Sequence, residues 1–109
     1  MAWLLRSGDV LASVHRPTSA VARLRATAAL ESGDGVLWCA PSHVAHSFGA
    51  RGELDVAYVD STGVVLALCR LGRARIGRPR LAANAVLEGR AGAFAHWDLR
   101  PGDRLEIRE

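Results

Sequence analysis

Apolar residues along this chain come in runs of four to eight, broken by glycine, proline and small polar residues, which is the punctuation of short strands rather than long helices. Residues 2–6 and 10–15 are two such runs separated by Ser7-Gly8-Asp9, the pattern of a hairpin. After Pro17, Thr18 can accept a backbone hydrogen bond as an N-cap. Val21, Leu24 and Ala28 then share one side of a helix reaching about Leu30, with Arg23 and Arg25 facing water. Glu31 to Gly35 breaks the pattern, Val36-Leu37-Trp38-Cys39 reads as a strand, and Pro41-Ser42 ends it.

The clearest hairpin comes next. Leu54 to Asp60 and Val64 to Leu71 are rich in Val, Leu and Tyr, and Asp60-Ser61-Thr62-Gly63 supplies the turn conformations that strands cannot. Arg70 to Arg80 interleaves arginine with Gly72, Gly77 and Pro79, follows neither period, and is expected to be a long exposed loop. Asn84 to Glu88 resumes as a strand and Gly92 to Trp97 forms a short helical turn. Arg100-Pro101-Gly102-Asp103 has proline and glycine where a type II turn wants them, and Leu105 and Ile107 alternate with charge in a last, half-buried strand.

Together these elements predict an α+β fold: a mostly antiparallel sheet curled towards a small barrel, with one helix of about three turns and one short helix. At 109 residues the chain is one domain, 1–109, able to bury roughly two thirds of its unfolded surface. Half the residues are apolar and 23% are charged, a balance that excludes a disordered chain.

Charge changes this picture little. All fourteen basic residues are arginine and lysine is absent, a bias expected of a GC-rich coding sequence rather than of guanidinium chemistry. The net charge of +3 permits an acidic partner, but solubility alone asks for as much, so it argues weakly for nucleic acid. The opening Met-Ala-Trp-Leu-Leu reaches Arg6 too soon, and without a basic leader, to be a signal peptide or membrane anchor, so the expected compartment is the cytoplasm. Cys39 and Cys69 lie in apolar strand segments and read as buried free thiols, with a bond between them left open. They lack the C-x-x-C spacing of metal or redox sites.

Three segments, HSFGARGELDVAYVDSTGVVL from His46 to Leu66, NAVLEGRAGAFAHW from Asn84 to Trp97 and LRPGDRLEI from Leu99 to Ile107, stand in an order and spacing that resembles the domain of unknown function 192 family. With GVLW at Gly35 to Trp38 the resemblance spans roughly residues 10 to 108. It implies a compact, barrel-like α+β fold and a family without a settled activity, substrate or cofactor. Some relatives are exported; the lack of a leader here places this chain with the cytoplasmic members. The chain departs from the family in one loop, where a methionine, a second large apolar residue and a proline give way to Ala50, Gly52 and Glu53, so that any pocket built there is altered. Arg23-Leu24-Arg25-Ala26 also lacks the glycines usual at that helix.

Candidate chemistry is sparse. His46, Arg51 and Asp55 lie within ten residues, and Glu88 ends another strand, so folding can gather the four into a polar cluster. Asp55 shares a strand face with Ala57 and Val59, and a buried carboxylate there needs loop amides or Arg51 as a partner. The alternative is an enzyme in which Asp55 or Glu88 is a general base and His46 its proton partner. No nucleophile elbow or phosphate-cradling glycine loop is present, and Ser47 beside His46 is adjacency, not a triad.

His43 and His46 form an H-x-x-H pair without a third ligand for zinc, so neither a metal nor a cofactor is implied. His15 and His96 read as packing or surface residues. Arg70, Arg73, Arg75, Arg78 and Arg80 are candidate anion contacts and give a second alternative, a weak nucleic-acid binder. The loop has no aromatic residue or recognition helix to go with them. The leading expectation is therefore a non-catalytic binding or accessory domain contacting an unidentified protein or small ligand through the 46–55 loop and the arginine loop, with no membrane insertion.

Overall fold

The computed structural model describes residues 2–30 and 35–109; of the break expected at Glu31 to Gly35, residues 31–34 lie outside the described residues. The elements run β1 (Ala2–Arg6), β2 (Asp9–His15), α1 (Ala20–Ala29), β3 (Val36–Cys39), β4 (Leu54–Val59), β5 (Val65–Leu71), β6 (Ala85–Arg90), α2 (Ala93–His96) and β7 (Leu105–Arg108). All seven strands join one sheet in the order β5-β4-β6-β3-β2-β1-β7. Every pairing is antiparallel except β2 with β3, where Val14 lies beside Val36 in parallel and α1 makes the crossover. The fold is α+β with a mostly antiparallel sheet.

Turn chemistry sets the hairpins. Ser7 (φ 52°) and Gly8 (φ 83°) are both left-handed, the geometry whose twist matches that of the flanking strands β1 and β2. At the β4–β5 turn Asp60 Oδ1 accepts hydrogen bonds from Thr62 N, Thr62 Oγ1 and Val64 N.

β4 is buried along its whole length, so both faces of its alternating pattern pack. Ala57 and Val59 join Leu4, Val36, Leu87 and Phe94 in the main core. On the other face Val56 and Tyr58 pack with Ala45 and Val86, while Leu54 packs with Leu30, Leu37 and Cys39.

The helix departs from expectation in two ways. Its N-cap is Ser19, whose Oγ accepts a hydrogen bond from Ala22 N at 3.0 Å, not Thr18. It is also turned about its axis: Val21 and Leu24 are 58% and 41% exposed, whereas Thr27 and Leu30 are buried and the Arg23 side chain is 17% exposed. The cause is Glu88, which has no exposed surface and takes Arg23 as its counter-ion. An uncompensated buried charge costs about 3–5 kcal/mol, more than the share of roughly 1.5–3 kcal/mol each that half-exposing two aliphatic side chains gives up.

Three further points concern β5 and the sheet edges. Arg70 and Leu71 belong to β5, as the Val64–Leu71 run predicts, so the exposed arginine segment begins at Gly72 rather than Arg70. Cys69 is exposed on this edge strand rather than buried, Cys39 is buried, and both are free, with β4 and β6 lying between their strands. The sheet is not closed. Its edge strands meet at one end only, through Val65 N to Asp103 O, Gly102 N to Val65 O and Leu105 N to Gly63 O, each 2.8 Å. Among the described residues no helix is long and apolar enough to cross a membrane.

That meeting point depends on Gly63, at φ 90°, where a Cβ would lie 2.4 Å from Leu105 O. Gly102 has φ 97° but open space around it. Gly63→Ala is therefore expected to destabilise by about 3 kcal/mol or more, and Gly102→Ala by about 1–2 kcal/mol from backbone strain alone. Urea unfolding of the two variants checks this; equal losses would show that the edge contact contributes nothing.

Candidate functional site

Asp55 is placed by the β4 alternation on the side of Ala57 and Val59, facing the start of α2. Its Oδ1 accepts from Arg70 Nε at 2.9 Å, and Oδ2 from the backbone N–H groups of Gly92 (3.0 Å) and Phe94 (3.2 Å). Arg70 is its cross-strand neighbour on β5, which is why that arginine rather than Arg51 is the partner. α2 has no side-chain cap of its own, since its N-cap is Gly92 at φ 95°, and Asp55 supplies the acceptor from a neighbouring strand. Held by a cation and two amides, this carboxylate shapes a turn.

Glu88 points the other way. It lies opposite Val56 on β4 and Leu37 on β3, so it occupies the face away from Asp55. Its Oε2 is 3.5 Å from Arg23 Nη2, which also reaches Val44 O at 3.4 Å. Glu88 Oε1, Arg23 Nε and Thr27 Oγ1 are buried and complete no hydrogen bond. Burial raises the Glu88 carboxyl above the ordinary carboxylate range, and Arg23, with the Thr27 hydroxyl nearby, offsets only part of that rise. Burial, reinforced by Glu88, pushes the nearby Cys39 thiol up to about 12, which leaves it inert as a nucleophile.

His46 stands at the other side of Arg23. Burial first and Arg23 second lower its pKa, and its Nδ1 accepts a hydrogen bond from Phe48 N at 3.2 Å, both of which favour the neutral ring. The four residues read as a cluster are thus divided by the sheet. His46 and Glu88 flank Arg23, Arg51 is exposed on the loop, and Asp55 is on the opposite face.

The loop carrying His46 and the arginine segment form one surface. Gly77 N donates to Ala45 O (2.8 Å), Ser47 N to Arg75 O (2.9 Å) and Arg80 N to His43 O (2.9 Å), and His46 bridges Ile76 in antiparallel register. Ser47, fully buried, adds a bond from its Oγ to Gly72 O and accepts from Arg75 N at 2.9 Å. Tyr58 OH donates to Arg78 O at 2.8 Å, and Arg80 lies over the Tyr58 ring at 5.7 Å. Ser47 and Tyr58 therefore fix the arginine segment, a role without any local motif to betray it.

Arg70 leaves the candidate anion set to serve Asp55; Arg73, Arg75, Arg78 and Arg80 remain exposed. Beside His46 a pocket of about 310 Å³ opens between the start of α1, with Ser19 and Arg23, and the end of β3, with Cys39 and Ser42. A larger groove of about 930 Å³ between α1 and strands β2 and β3 is lined mainly by alanine, valine and leucine. His15 and His96 are exposed, and among the described residues no three His, Cys, Asp or Glu side chains gather as a metal site.

With this geometry in hand, comparison with known proteins identifies the family. The chain belongs to the DUF192 family, described as an uncharacterized ACR, whose sequence profile matches residues 4–107. No curated protein matches it. A crystal structure of a candidate transcription regulator from Sinorhizobium meliloti 1021 is similar at a TM-score of 0.70 and 19% identity, covering 97% of this chain and 91% of that one. A protein of unknown function from Novosphingobium aromaticivorans DSM 12444 is similar at 0.70 and 14% identity, covering 96% and 82%. Both likenesses establish the fold.

Three variants separate the roles of the buried carboxylates. Asp55→Ala strands two amides and is expected to cost about 2–4 kcal/mol, whereas Arg70→Ala, removing a half-exposed partner, costs about 1 kcal/mol. Equal losses in urea unfolding would contradict the dominance of the amides. For Glu88 the sign follows from its raised pKa: above the ordinary value of 4.5 the folded state keeps a proton that the unfolded chain has released, so stability falls as pH rises through that interval. The stability of Glu88→Gln relative to the parent should therefore improve as pH rises above 4.5; parallel pH profiles would refute this.

Proposed function

We propose that the chain is a non-catalytic binding or accessory domain that contacts a protein or small ligand through the 46–55 loop and the adjoining arginine segment. The observation that carries this reading is the zipper between residues 43–47, which lead into that loop, and the arginine segment, from Ser47–Arg75 through Ala45–Gly77 to His43–Arg80, which holds the two as one fixed surface. A surface held in place before binding loses little freedom on association. The pocket beside it, at about 310 Å³, stands at the small end of ligand pockets, roughly 300–1,000 Å³. The scaffold is a sheet curled far enough for its edges to touch at one end, the small barrel-like shape the family resemblance implies.

The catalytic alternative lacks support from the placement of its residues. Asp55 and Glu88 face opposite sides of the sheet, and one is occupied by amides while the other has no exposed surface. A general base must reach the proton it removes.

The test is a photo-cross-linking residue at position 48, on the proposed surface, or at position 10, exposed elsewhere, followed by pull-down from the native host. A reproducible adduct from position 48 and none from position 10 is expected. Adducts from both positions alike, or from neither, would refute the reading.

A further inference from the structure

We infer that the surface formed by the outer side of α1, the 46–49 turn and the 72–80 segment docks an acidic peptide segment of a partner protein, one with an aliphatic or aromatic side chain among its carboxylates. The inference rests on the binding-domain reading and specifies the chemistry of the partner.

The apolar centre comes from residues that ordinarily seek the interior. Leu24 is 41% exposed, Phe48 40% and Ile76 65%. They are neighbours, not scattered. His46 and Ile76 are cross-strand partners and so present their side chains to one face, and the Phe48 ring packs on the His46 ring with centroids 5.2 Å apart. Gly49, the next residue, abuts the backbone and side chain of Leu24. A contiguous exposed apolar patch framed by polar groups marks an interaction site.

The frame is basic and uncompensated. Arg73 and Arg75 precede Ile76, Arg78 lies two residues beyond it, and Arg51 follows Phe48 closely. All four are exposed, and none makes an ion pair among the described residues. Several arginines elsewhere do find acids: Arg6 pairs with Asp103, Arg70 with Asp55, Arg100 with Asp98 and Arg108 with Glu106. The segments that build this face, 20–29, 46–49 and 72–80, contain no acid. Guanidinium groups left free around an apolar centre complement carboxylates around an apolar anchor.

A peptide fits these features better than a phosphate backbone or a lipid surface. Phosphate has no use for Leu24, Phe48 and Ile76, and a membrane has no use for a pocket of about 310 Å³ walled by His46, which suits a single side chain.

The test selects displayed random peptides of about 12 residues on the full chain and measures the enriched ones against Phe48→Ser and a combined Arg73→Ser, Arg75→Ser, Arg78→Ser variant, each first shown to melt like the parent. The enriched peptides should carry several acids around an apolar residue, and each variant should weaken them by about tenfold or more. Short duplex DNA and phosphatidylglycerol vesicles are measured in parallel. Peptides without an acidic excess that are still lost on Phe48→Ser would overturn the acidic partner while leaving the binding surface standing. No enrichment, or binding indifferent to both variants, would overturn the inference outright. So would retention of DNA or vesicles that needs the arginines but not Phe48.

Discussion

A carboxylate with no exposed surface, set in the middle of the sheet, governs how this molecule is arranged. Glu88 sits on β6 between β3 and β4, and the cation that answers it comes from α1. Satisfying that charge fixes the rotation of the helix. It draws Arg23 inward against Val44 and turns Val21 and Leu24 to solvent, and it sets the wall that α1 offers to the pocket beside His46. The exposure of Leu24 and the wall that α1 gives the pocket therefore trace to one demand for charge compensation beneath them.

The second buried carboxylate acts on the opposite side and for a different end. Asp55 draws together β4, β5 and the first turn of α2 by accepting from Arg70 and two amides. With its ion pair half-exposed, its contribution comes chiefly from satisfying backbone donors that would otherwise be buried alone. Two acids on the neighbouring strands β4 and β6 are thus spent on architecture, which leaves the surface proposed for binding to neutral and basic groups.

The strands were legible because each is a dense apolar run bounded by glycine, proline or aspartate, and the turns at Ser7-Gly8, Asp60–Gly63 and Arg100–Asp103 stand where those residues put them. The helix was legible as a helix but not in its rotation: periodicity ranks Val21 and Leu24 above Arg23 for burial, and nothing local announces a partner 65 residues away. The same holds for Asp55. Its burial follows from alternation along β4, whereas its pairing with Arg70 follows from a hairpin register, and a shift of one residue would have turned it to the other face. Of the candidate site, His46 and the exposed arginines could be named in advance. That Ser47 and Tyr58 hold them together could not, since both act through backbone carbonyls that no side-chain pattern encodes.

The neighbours of β1 have a consequence for the order in which this fold can form. Leu4, wholly buried in the main core, sits between β2, which follows directly, and β7, where its partner is Ile107. During synthesis the first hairpin is made early, yet half of its lateral pairing has not been translated until nearly the whole domain has left the ribosome. Until then β1 presents an open edge and unburied leucines, a state prone to wrong pairings. Completion of the sheet is consequently a late, long-range event, and the time a nascent chain spends waiting for β7 is the interval in which it is most open to chaperones or to aggregation.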